Sequence, residues 1–112
     1  MSTESLKKAK IARIWQGSLP DGKADEYENY LYTEGVKKIA GIEGNLGVQM
    51  MRYSKDGVTE FIVISYWESR EDIKKYAGED IEKPHHLPKD KDYLLELPKL
   101  VKNCDLKTNE WK

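Results

Sequence analysis

The chain has 112 residues, a length that suits one domain, with 38% hydrophobic and 35% charged residues. Such a composition gives a small core under a solvated exterior, or a subunit that completes its core by association. Its 19 basic and 20 acidic side chains nearly cancel, which argues against a basic nucleic-acid footprint.

The single cysteine, Cys104, cannot form an intramolecular disulfide, which points to a reducing compartment. The opening MSTESLKKAK is polar, without the apolar core of a secretory signal, and residues 1–8 are expected to form a flexible arm. No apolar run is long enough to cross a bilayer. A cytoplasmic protein with no membrane contact is expected, with residues 9–112 as one domain.

Lys10 to Gly17 reads as a first strand, with Ile11, Arg13 and Trp15 on one face and Ala12, Ile14 and Gln16 on the other. Leu19-Pro20-Asp21-Gly22 is turn chemistry. A helix follows from about Lys23 to Ala40, with Ala24, Tyr27, Leu31 and Ile39 roughly on one side and Gly41 and Gly44 at its end. Leu46 to Tyr53 is a second strand, and Asp56-Gly57 marks a hairpin. The next strand places Phe61, Val63 and Trp67 on one face and Ile62, Ile64 and Tyr66 on the other. Both faces are apolar, so it should be central and covered on both sides.

Ser69 and Asp72 have capping-box spacing for a second helix carrying Ile73, Tyr76 and Ala77, stopped by Gly78. Glu79 to Lys83 offers one more helical turn. Pro84 to Pro88 is a loop with His85 and His86, Asp90 to Leu95 a short helix, and Leu100 to Leu106 a last strand. The order βαββαβ predicts an α+β, ferredoxin-like split βαβ fold with an antiparallel sheet. Its helices cover one sheet face only, so a homodimer packed sheet to sheet is expected.

Ile11-Ala12-Arg13-Ile14-Trp15, the Asp21-Gly22 turn before a Tyr-rich helix, Glu60-Phe61-Ile62-Val63, Trp67-Glu68-Ser69 and Ala77-Gly78-Glu79-Asp80 resemble the antibiotic biosynthesis monooxygenase family. The resemblance spans about Lys10 to Leu106. It implies a dimeric α/β barrel with a pocket in each subunit between sheet and helices. Characterised members either oxidise polycyclic phenols to quinones with O₂ and no metal or flavin, or bind and degrade heme. The functional Trp of the heme-degrading members falls at Tyr76, their axial His at His86 and their functional Asn at Trp15. Trp15 cannot supply an amide, so heme is disfavoured and no cofactor or metal is expected.

The resemblance implies a cofactor-independent, monooxygenase-like protein acting on a small aromatic or hydrophobic substrate. The alternative is a non-catalytic, ligand- or heme-binding dimer of the same fold. Arg13 either snorkels to the sheet edge or stands in the pocket as a cation for a phenolate or carboxylate. Trp15 and Trp67 either pack the core or form an aromatic wall, with Tyr27 and Tyr76 lending hydroxyls. His85 and His86 are adjacent and suit no shared chelate; if one acts, His86 is expected to be the base or ligand. Cys104 is read as inert.

Overall fold

The computed structural model describes residues 3–111. Four strands, β1 (Ile11–Pro20), β2 (Asn45–Lys55), β3 (Val58–Trp67) and β4 (Lys102–Asp105), form one antiparallel sheet in the order β2-β3-β1-β4. This is the ferredoxin-like arrangement that the element order predicts. β2 and β3 join through a two-residue turn at Asp56 (φ 55°) and Gly57 (φ 81°), both in the left-handed region that a twisted hairpin requires.

The short α1 (Thr3–Lys7) stands where a flexible arm was expected; residues 1 and 2 of that arm lie outside the described residues. Asn109 holds this end in place, its amide donating to the Leu6 carbonyl at 2.8 Å and the Ala9 carbonyl at 3.2 Å.

The first long helix is interrupted. α2 (Ala24–Leu31) runs into a wide π segment, Tyr32–Val36, before α3 (Lys37–Ala40). In an unbroken α-helix, Leu31 and Ile39 would be turned apart by roughly 80° at about 100° per residue. The wide turn absorbs one residue and closes most of that angle. Both side chains are buried.

α4 (Arg70–Ala77) starts on the predicted cap: the Ser69 hydroxyl accepts from the Asp72 N–H at 3.2 Å and donates to its carboxylate at 3.0 Å. Gly78, at φ 84°, ends it. The helical turn expected over Glu79–Lys83 is a single hydrogen-bonded turn, Lys83 N–H to the Asp80 carbonyl. Other carbonyls of this stretch are engaged elsewhere, Ile81 and Lys83 by Arg13 and Glu82 by the Val101 N–H. α5 (Asp90–Tyr93) and β4 are shorter than their predicted spans.

α2, α3, α4 and α5 lie over the side carrying Phe61, Val63 and Trp67. Two apolar clusters form there, Leu19, Ala24, Tyr27, Leu31, Phe61, Val63 and Leu94 at one end and Ile11, Ile39, Trp67 and Ile73 at the other. Each large side chain fully buried in them contributes roughly 1.5–3 kcal/mol. Between the clusters runs a cross-strand row, Val48–Ser65–Arg13–Asn103, polar in three of its four positions. The opposite face carries Ile14, Met51, Ile62, Ile64 and Tyr66, and none of them is buried.

Candidate functional site

A cavity opens above the polar row, at the seam between the two clusters. Its floor is Arg13, Trp15, Val63 and Ser65, and its roof comes from Leu31 to Ile39, Tyr76 and the loop running to Asp90. The empty volume, mouth included, is about 470 Å³. Arg13 and Trp15 share a face of β1, so their neighbouring places on the floor follow from the two-residue strand period. Gly35 belongs to the π segment, where an added Cβ would lie 3.3 Å from the Leu31 side chain and 3.6 Å from that of Leu87.

Arg13 is 4% exposed and does not snorkel to the edge. Its guanidinium donates to the carbonyls of Ile81 and of Lys83 (2.9 Å) and, more weakly, to the Asn103 amide oxygen at 3.4 Å. All three acceptors are neutral, and among the described residues no carboxylate pairs with the cation. Burial lowers the Arg13 pKa from its ordinary value, and interaction with Tyr76 offsets this in part. A guanidinium nevertheless stays charged at any physiological pH.

Tyr76 lies within electrostatic reach. Burial raises its hydroxyl pKa, the Arg13 charge draws it back, and Asp90 adds a smaller upward push. His85 packs on the Tyr76 ring with centroids 4.8 Å apart and lines the cavity. Both histidines are exposed, and only His85 is part of the lining; His86 is not.

Trp67 and Tyr27 do not line the cavity. Trp67 is fully buried in the second cluster, its indole N–H donating to the Ser65 hydroxyl at 2.9 Å. Tyr27 is fully buried against Phe61 and Tyr93, at centroid distances of 5.5 and 5.2 Å. Its hydroxyl donates to Asp90 at 2.8 Å, and Asp90 does line the cavity. Asp90, 2% exposed, is the residue that sequence reasoning missed. Its other oxygen accepts from the Leu87 N–H at 2.9 Å. No cation pairs with it among the described residues.

The sequence profile of the family described as "Antibiotic biosynthesis monooxygenase" matches residues 11–86. The chain belongs to the antibiotic biosynthesis monooxygenase family. A Nitrosomonas europaea protein assigned to this family has a similar structure, with a TM-score of 0.65 and 17% identity over 88% of this chain and 91% of the other. A Bacillus cereus protein, likewise assigned, gives 0.62 and 16% over 93% and 99%. The heme degrader MhuD of Mycobacterium tuberculosis, solved with two hemes in its active site, gives 0.61 and 17% over 90% and 99%. At these identities the likeness establishes the fold shared with family members, not a common reaction. No curated protein matches the chain. Among the described residues no helix is long and apolar enough to cross a membrane, and no three His, Cys, Asp or Glu side chains cluster as a metal site.

Proposed function

We propose that this family member is a cofactor-independent monooxygenase acting on a small aromatic substrate held in the cavity between sheet and helices. The observation that carries this reading is the buried Arg13 at the cavity floor, held by neutral acceptors alone. A charge in such a place is costly without an anion, and a bound phenolate or carboxylate supplies one. Trp15 offers the ring a flat apolar surface, whereas Trp67 and Tyr27 act only by supporting the walls.

An electron-rich phenolate reduces O₂ directly once bulk water is excluded. One oxygen atom enters the ring carbon and becomes a carbonyl, and the other leaves as water with the two hydrogens the phenol loses in becoming a quinone. In this reading His85, rather than His86, handles the proton, which its place in the lining beside the Tyr76 ring supports.

The residues present do not fit heme bound in the manner the resemblance implies. His86, at the axial position, is outside the cavity, and Trp15 replaces the amide. No step is assigned to heme.

The reading includes a homodimer joined through the open sheet faces. The half-buried Ile14, Ile62, Ile64 and Tyr66 and the exposed Met51 support it, as does the exposure of Leu95 (61%) and Leu100 (67%). Oxygen uptake during aerobic incubation with electron-rich phenols tests the activity. Uptake matched one to one by quinone, and reduced in His85→Ala and Tyr76→Phe, is expected. No uptake above the enzyme-free blank with any phenol would remove the activity.

A further inference from the structure

The cavity has two buried charges of opposite sign, and they do not meet. Arg13 is 4% exposed and Asp90 2%, and each is held only by neutral groups. Their anchors place them at different ends. Arg13 is tied to the Ile81–Lys83 loop and to Asn103 of β4. Asp90 is tied to Tyr27 and begins α5, and a Cβ on Gly17 would lie 3.2 Å from the Leu94 side chain at the far end of α5. The Leu95 N–H bonds the carbonyl of Ser18, which fixes that end again. Trp15, two residues from Arg13 on the same face of β1, lines the cavity together with both charges. The cavity is therefore bipolar, with a cation at one pole, a carboxylate at the other and an apolar ring surface between.

We propose that the ligand is a single-ring aromatic acid bearing a hydroxyl or amino group opposite its carboxylate. The acid group faces Arg13, the ring lies on Trp15, and the hydroxyl or amino hydrogen is donated to Asp90. This deepens the functional reading above, since it takes the same cavity as the ligand site. Each pole has unused capacity, because the guanidinium has more N–H groups than its three acceptors occupy and each Asp90 oxygen has a second lone pair. A ligand with only one polar end leaves the other buried charge without a partner, the situation that gives polar sites their selectivity.

Calorimetric titration of the native protein with benzoate, phenol, 4-methoxybenzoate, 4-hydroxybenzoate and 4-aminobenzoate tests this. The hydroxy and amino acids should bind at least about tenfold more tightly than benzoate or phenol, as a hydrogen bond to a charged group implies. The methoxy acid, which has no hydrogen to donate, should gain nothing over benzoate. In Asp90→Asn the ratio of 4-hydroxybenzoate to benzoate affinity should shrink below about threefold. Equal affinities across the series, or no binding by any member, would overturn the proposal. So would an Asp90→Asn effect as large on benzoate as on 4-hydroxybenzoate. If Asp90→Asn does not fold, the methoxy comparison on the native protein decides alone. An oxygen electrode separates the two readings. Tight 4-hydroxybenzoate binding without O₂ uptake leaves the ligand class standing and removes the oxygenase. Uptake with phenols, and no advantage for the acids, does the reverse.

Discussion

A guanidinium bound by carbonyl oxygens keeps its whole charge, because none of its acceptors is ionised. Arg13 therefore both fastens the Ile81–Lys83 loop and keeps a positive field in the cavity. Arg13→Ala should cost about 1–3 kcal/mol in urea unfolding, since the Lys83 carbonyl loses its partner while Ile81 retains Asn103 at 2.9 Å. The thermal shift produced by phenolic or benzoate ligands should disappear in the same variant; equal shifts in both proteins would take Arg13 out of the site. Tyr27 gives a separate test through pH. Burial first, then Asp90 and Tyr30, raise its hydroxyl pKa well above the ordinary 10.0. The folded state thus holds a proton that the unfolded chain releases above about pH 10, so this stabilisation is complete below that pH and lost as pH rises further. Tyr27→Phe should be less stable near neutrality by about 1–3 kcal/mol but lose less on going from pH 9 to 11 in thermal melts. At this scale the sequence was legible where strand alternation governs, as for Arg13 and Trp15 on one face. It was not legible in the loop. Adjacent histidines follow no period there, and Asp90 reads as an ordinary helix-start acid until Tyr27, far away in the chain, donates to it.

Elements were readable where the signal is local. Ser69 with Asp72 and Asp56 with Gly57 act within four residues of themselves, and both features stand as read. The longer arrangement of residues 79–83 depends on Arg13 and Val101, which local pattern does not contain. The break in the first helix also left no Pro or capping signal, although Leu31 and Ile39 share a side only once the wide turn is included. Ser69→Ala should lower stability by about 1 kcal/mol in chemical denaturation. Gly44→Ala should cost more: Gly44 sits at φ 96°, and its Cβ would come within 2.7 Å of the Asp72 carboxyl carbon. Because Asp72 serves the same cap, the two substitutions should combine non-additively, which a double-mutant cycle would measure.

The whole molecule is lopsided, with helices on one side of the sheet and an apolar face on the other. Sedimentation at micromolar concentration should therefore find a species of twice the chain mass, and Ile64→Lys should yield the monomer. A native monomer under those conditions would count against the sheet-to-sheet assembly. Purified protein should be colourless, and heme titration should give no Soret band that depends on His86; a band lost in His86→Ala would restore the heme reading. The π segment Tyr32–Val36 bears on how such a molecule tolerates changes in length. Loss of one residue from an ordinary helix rotates everything beyond it by about 100° and misplaces every later contact. Here a single-codon deletion within the wide turn would convert it to regular α-helix with both flanks still facing the sheet. The roof of the cavity is thus the part of the helix where evolution can shorten the chain without refolding it, and so reshape the site by deletion rather than substitution.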